Sequence, residues 1–435
     1  MEPTKGPNQQ KSFYFFWNSV FVLICLAVLP YASYVTLVAL GILTLITVFR
    51  HPQEVTRVLY RSGWWLIAIA MVLTVVVAQY PGEAALQLAN FLPFIVFLGV
   101  ITMTLPRLVK PFWTIERWSV VLLIASIPIT LRAIVEYWLK APAMVSQLSG
   151  LWYFDWLYGQ VDYGHRADSV FGHPNVLASY LVMLLGLGLG LTLRHLRCPR
   201  VDHTRRWWEQ PAWIYVATAL LPIGIFCSGS RNGILVAILQ LLICGWLMRR
   251  NRVILVAETA AISAMVLGVI TWGVGGRNVA EAFSTINLRV GVWQLAIDMI
   301  RQNPWLGTGL GSYKLLYVPY TVEPYDTVEH AHNLWLMLAA ELGVPLMLGI
   351  TMVVGWSCWR AARSLVNGLF SSPERYLLTG YLLGFMGCSL FALFDLAFYD
   401  SRANLLGWLM LAVIQAIPEL ENRIAANSPD LSDLN

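Results

Sequence analysis

Apolar stretches long enough for a helix to cross the roughly 30 Å hydrocarbon layer of a bilayer recur along this chain from end to end, each closed by an Arg, Gly or Pro cluster. About twelve can be read: residues 13–29, 34–49, 64–79, 86–105, 118–138 and 176–193, then 213–227, 233–248, 253–274, 334–359, 376–398 and 404–417. With 58% of 435 residues hydrophobic and only 12% charged, the chain lacks the polar surface to cover a water-soluble globule, so lipid must be its solvent. The expected fold is all-α: a polytopic transmembrane helical bundle forming a single integral membrane domain over residues 1–435.

Orientation follows from Lys and Arg, which hold connections on the cytoplasmic side during insertion. Alternate connections carry Arg50, Arg57 and Arg61; Arg107, Lys110 and Arg117; Arg194, Arg197, Arg200, Arg205 and Arg206; Arg249, Arg250 and Arg252; and Arg360, Arg363 and Arg375. These connections and both termini are expected to be cytoplasmic. The net charge of +5 is then mostly a topology signal and implies nothing about nucleic acid. Lys5 and Lys11 precede the first apolar run as in a signal peptide, but no small-residue cleavage site follows, so a retained anchor is expected. Five of the six cysteines fall in or at the end of spans, which implies neither a disulfide framework nor a CxxC metal site.

Two outward connections are long, and long loops tend to carry function. The first, residues 139–175, holds Trp152, Tyr153, Phe154, Trp156, Tyr158 and Tyr163, suited to an interfacial belt or to sugar stacking. In the second, residues 275–333, Leu288, Val292, Leu295, Ala296 and Met299 share one face of a helical pattern, which predicts a helix lying on the membrane surface. PWLGTGLGSY follows it. That run lacks the Gly-Lys-Ser/Thr ending of a phosphate loop and reads as a turn where backbone packs closely. The tail, residues 419–435, reads as polar and disordered.

Four segments bring polar residues to outward ends of spans: RADSVFGHPN with Arg166, His173 and Asn175; SGSRNG with Arg231; NLRVGVW with Arg289; and HAHN with His330, His332 and Asn333. A guanidinium held between two apolar spans, as Arg231 is, should meet an anion; snorkelling to headgroups and pairing with a carboxylate such as Asp395 are the alternatives. Arg289 could equally serve anionic lipid. Arg132, inside the fifth span, has Glu136 one helical turn away as its natural partner. His330 and His332 could share a metal, yet no third ligand is spaced to suggest itself, and one functional imidazole or a helix cap competes with that reading.

In order and content, FGHPNVLASY, GSRNG, NLRVGVWQLAIDMIRQNPWLGTGLGSY and HAHNLWLMLAAELGVPL resemble the O-antigen ligase and polymerase family of bacterial envelope proteins, over roughly residues 166–345. The resemblance implies transfer of a polysaccharide from undecaprenyl pyrophosphate to lipid A-core on the periplasmic face of the inner membrane. It implies His332 as the catalytic residue, Arg231, Arg289 and, on a looser match, Arg166 as pyrophosphate ligands, with His330, Asn333 and Asn175 in support. No cofactor or metal is expected. His173 stands where relatives more often have a small or polar residue, which leaves its role open.

The residue types suit that chemistry. Arg binds phosphate oxygens bidentately, and a neutral His can take the acceptor proton. Direct attack of the acceptor on the anomeric carbon would invert it. Asp155, Asp162 and Asp168 are candidate sugar contacts. A polymerase of the same family, joining lipid-linked repeats, is the near alternative. A lipid-linked glycan transporter or flippase is the alternative of another class, although that would place its unusual polar residues near the bilayer centre rather than at its outer edge.

Overall fold

The computed structural model describes residues 7–140, 163–198, 210–249, 251–277, 286–317 and 330–426. Helix underlies each of the twelve expected apolar stretches, and the described residues contain no strand beyond one isolated bridge, Val274 with Arg277. In chain order the helices are α1 (Pro7–Val28), α2 (Ser33–Arg50), α3 (Pro52–Ser62), α4 (Trp64–Val76), α5 (Pro81–Gln87), α6 (Leu92–Thr104), α7 (Pro111–Leu139), α8 (Pro174–Arg197) and α9 (Pro211–Cys227). They continue as α10 (Arg231–Leu247), α11 (Arg252–Trp272), α12 (Ile286–Gln302), α13 (Ser312–Tyr317), α14 (Leu334–Leu342), α15 (Val344–Asn367), α16 (Ser372–Phe391) and α17 (Ser401–Ala426).

Among the described residues, seven helices are long and apolar enough to cross a membrane, or eight if α3 and α4, bent by 86°, count as one span. Asn18–Val28, α9 and α10 are apolar but shorter. The amphipathic α3 fills the first expected cytoplasmic connection, laying Val55 and Leu59 against Gly99 of α6.

The core sits on α8, which packs against α7, α9, α10, α16 and α17 and is buried along most of its length. Its closest approach is to α16. A Cβ on Gly186 would fall 2.1 Å from the backbone N of Gly384, and one on Gly190 would fall 2.4 Å from Cα of Gly380. Small residues at both faces let the two backbones touch, which is how helices associate where lipid removes any hydrophobic drive. By contrast α2, α11 and α15 leave most of their apolar side chains uncovered, as lipid-facing helices do.

Contacts sort the helix ends into two sets. At one end Arg194 pairs with Glu116 at 2.6 Å and donates to the carbonyl of Pro373, Arg423 donates to the carbonyls of Pro106 and Leu108, and Arg197 meets Met248. Arg194 and Arg197 belong to a cation-rich connection, and Arg423 to the last turn of α17, so the cation-rich side and the C-terminal end of α17 lie together. The opposite end gathers the C-termini of α7, α9 and α16 and the N-termini of α8, α10, α14 and α17.

Three expectations change. The stretch 334–359 is two helices, because Gly343 at φ 84° breaks it; the span proper is α15, and α14 is a short buried helix in front of it. The helix expected over 376–398 stops at Phe391, so Asp395 lies in the following loop. Finally, α17 runs on to Ala426, so the polar tail begins later than residue 419. Trp152, Tyr153, Phe154, Trp156, Tyr158, Asp155 and Asp162 lie outside the described residues.

The glycine-rich run after α12 is a docking loop, as its composition predicts. Thr308 N donates to Ala340 O, Gly309 N to Glu341 O, and Val344 N to the carbonyl of Pro304, at 2.8–3.0 Å. Gly307, at φ 68°, leaves no room for a side chain: its Cβ would stand 2.4 Å from the carbonyl of Glu341.

Candidate functional site

The polar segment before α8 is shaped from below by α7. Buried Glu136 takes Arg132 Nε on Oε1 at 2.8 Å, the pairing its spacing suggests, while Oε2 accepts the N–H groups of Asp168 at 3.2 Å and Ser169 at 2.7 Å. Lys140, one turn on, meets Asp168 Oδ1 at 3.1 Å and the carbonyl of Arg166 at 3.3 Å. Asp168 is thus a buried carboxylate paired with Lys140. From α17, Arg402 donates to the carbonyls of Val170 at 2.6 Å and Phe171 at 3.2 Å and stacks over the Phe171 ring. His173 answers the open question about its role locally: Nδ1 accepts the Asn175 N–H at 3.1 Å, capping α8 in the usual N-cap manner.

With that segment fixed, a chain of hydrogen bonds crosses the end of the bundle. Arg166 Nε donates to the carbonyl of Ser228 at 2.9 Å, and its Nη2 donates to Asn175 Oδ1. Asn175 Nδ2 donates to Asp395 Oδ2, and His332 Nδ1 stands 3.2 Å from Asp395 Oδ1, which also accepts the Leu396 N–H. Asn333 caps α14 through Leu336 N and ties it to the α16 end through the carbonyl of Leu393 at 3.0 Å. His332 itself has φ 48°, a left-handed conformation uncommon for a residue with a Cβ. The His330 and His332 rings lie 4.6 Å apart.

Cations surround this chain. Arg231 opens α10 behind its cap Ser230, and Arg289 and Arg277 act on it electrostatically. Arg277 reaches the carbonyl of Gly229 at 3.4 Å, and the stem of Arg166 passes between Gly229 and Gly275, both at positive φ, where a side chain would collide with it. Arg166 in turn senses Arg277 and Arg231, and Asp395 senses Arg289. Arg166, Arg231, Arg277 and Arg289 are linked to one another electrostatically, and Arg166 and Arg289 also to Asp395, which leaves a positive field suited to an anion.

Burial followed by Arg277 pulls Arg166 down to about 10. Burial alone would push the Asp395 carboxyl up, but the His332 hydrogen bond and the charges of His332, His330 and Arg289 hold it below the usual carboxylate range. Burial, then His332, brings His330 down to about 4, so its imidazole is neutral near pH 7.

The sequence-selected residues Arg166, Asn175, Arg231, Arg289, His330, His332 and Asn333 therefore share one end of the bundle. Asp395 bonds to His332 and Asn175, a different partnership from the Arg231 pair considered from the sequence. Arg166 has Nε and Nη2 bonded within the protein itself. One reading is corrected: the helix α12 buries Val292, Ala296 and Met299 against Tyr313, Ala331, Met337 and Ala340, so its apolar face meets α14 rather than lipid. Leu288 lies outside the side chains described. Sequence reasoning missed the joining role of Asp395; a lone acid closing an apolar run on the same side as four unusual arginines was its available signal.

A family model described as O-antigen ligase matches residues 216–351. No curated protein matches the chain. The matched region takes in Arg231, Arg289, His330, His332 and Asn333 and stops short of Arg166, Asn175 and Asp395. Members of this family are glycosyltransferase-like enzymes. Residues 216–351 thus match the O-antigen ligase family, over the same segment whose motif order resembles the O-antigen ligase and polymerase family.

Proposed function

We propose that this protein is an O-antigen ligase, moving polysaccharide from undecaprenyl pyrophosphate to a hydroxyl of lipid A-core on the periplasmic face of the bacterial inner membrane. The cation-rich end is then cytoplasmic, with both termini, and the end bearing His332 is periplasmic. The observation that carries this reading is the convergence of Arg231, Arg289 and Arg277 beside a His332–Asp395 pair.

Arg231 and Arg289 grip the donor pyrophosphate oxygens, and Arg277 adds to the same field. Arg166 contributes charge while holding Asn175. With the His332 Nδ1 proton directed at Asp395, Nε2 keeps its lone pair for the acceptor hydroxyl. As that oxygen attacks the anomeric carbon, the bond to pyrophosphate breaks, the hydroxyl proton passes to Nε2 and the arginines take up the charge on the departing diphosphate. Attack from the opposite face inverts the carbon. No step requires a metal.

Purified protein mixed with lipid-linked glycan and lipid A-core should form the joined product with or without chelator, and His332→Ala should fold yet fail. Near-normal transfer by a folded His332→Ala would remove this mechanism. Extension of the lipid-linked glycan with no product on lipid A-core would make the enzyme a polymerase.

A further inference from the structure

We propose that His330, His332 and Asp395 form a binding site for a divalent ion of the zinc class. Sequence spacing offers two imidazoles; the fold supplies the third donor from 63 residues beyond His332. One ligand atom from each of the three residues lies within 4.8 Å of the others. His332 Nδ1 and Asp395 Oδ1 are 3.2 Å apart, close to the roughly 3.3 Å between neighbouring ligands of a tetrahedral shell with bonds of about 2.0–2.1 Å. His330 supplies the third ligand atom, within 4.8 Å of the other two.

Two imidazoles and a carboxylate favour zinc over calcium or magnesium, which prefer oxygen donors alone. Asn175 holds the second carboxylate oxygen, the outer support that oriented metal ligands need. The His332 side chain is 31% exposed, which gives an ion a way in and leaves a fourth position for water. His173 is excluded, since its Nδ1 is spent on the α8 cap. Arg289 near Asp395 opposes a second cation and moderates the affinity.

Coordination through His332 Nδ1 would move the ring proton to Nε2 with no net loss of a proton. On the proposed ligase reading, which this consequence alone rests on, Nε2 is the nitrogen that must be bare, so the loaded protein would be idle until the ion is withdrawn.

Zinc titrated calorimetrically into purified full-length protein without glycan or lipid A-core tests the site independently of that reading. One ion should bind per chain. Affinity should fall by at least about 100-fold in His330→Ala and Asp395→Asn and by about 10 to 100-fold in Asn175→Ala, while the surface variant Asp298→Asn should match wild type. Folding of each variant is checked by its melting curve. Should variants not fold, cobalt added to the wild type should give the intense visible bands of a tetrahedral site. No saturable binding, equal binding by both folded ligand variants, or only the weak bands of octahedral cobalt would overturn the proposal.

Discussion

Asp395 and His332 stand 63 residues apart in sequence, and neither is informative alone. Together they form an oriented imidazole, because the carboxylate selects which ring nitrogen carries the proton. Asp395→Asn preserves shape but can donate to Nδ1 and so favour the wrong tautomer. Transfer by this variant should fall by about 100-fold or more, with yield and melting temperature little changed; unaltered turnover would separate Asp395 from the reaction. His332→Gly should abolish transfer while relieving the φ 48° backbone, so its melting temperature should equal or exceed that of His332→Ala. Arg231, Arg289 and His332 were legible in the sequence because charged and titratable side chains at the ends of apolar runs are costly and need a reason. Asp395 was legible only as a candidate partner, since pairing across that distance is decided by how α14 and α16 meet.

Helical elements could be read from apolar run length, but their breaks could not, because apolarity continues across them. Gly343 shows why. Its φ of 84° and the carbonyl of Trp305, 2.3 Å from where a Cβ would be, end α14 and start α15 within one unbroken apolar stretch. Gly343→Ala should destabilise the protein by about 1–3 kcal/mol or more, seen as a lowered melting temperature. Next to it, Glu341 is fully buried, with Oε1 accepting the Tyr313 N–H at 3.1 Å and Oε2 without a hydrogen-bond partner; burial lifts it to about 7. A carboxyl raised on folding holds its proton more tightly in the native state, so its contribution is favourable at low pH and is lost as pH climbs from the ordinary value of 4.5 through about 7. Glu341→Gln keeps the acceptor and removes the charge. Its melting temperature should exceed wild type above pH 7, and the gap should close below pH 4.5; a constant gap would deny the titration. The face of α12 was correctly chosen from periodicity. What covers it was not, because a helical stripe looks alike whether it meets lipid or another helix.

At the scale of the whole molecule, alternation of cation-rich connections separates two ends that the contacts also separate. Single cysteines at Asp298 and at Lys110 should therefore be labelled by an impermeant thiol reagent from opposite faces of the membrane, the first from the periplasm, and labelling from the same face would overturn the proposed orientation. The number of crossings was harder to read than their sites, since α3 bends by 86° into α4 and, among the described residues, three apolar helical stretches fall short of a full span. The glycine contact between α8 and α16 has a consequence for the distant rim. These two helices deliver Asn175 and the loop of Asp395, and with backbone against backbone neither can slide past the other. Gly186→Leu, far from any reacting group, should thus shift the rim as a bent ruler shifts its last mark. A bilayer that thickens or thins around so stiff a spine would leave the spacing of those two residues as it was.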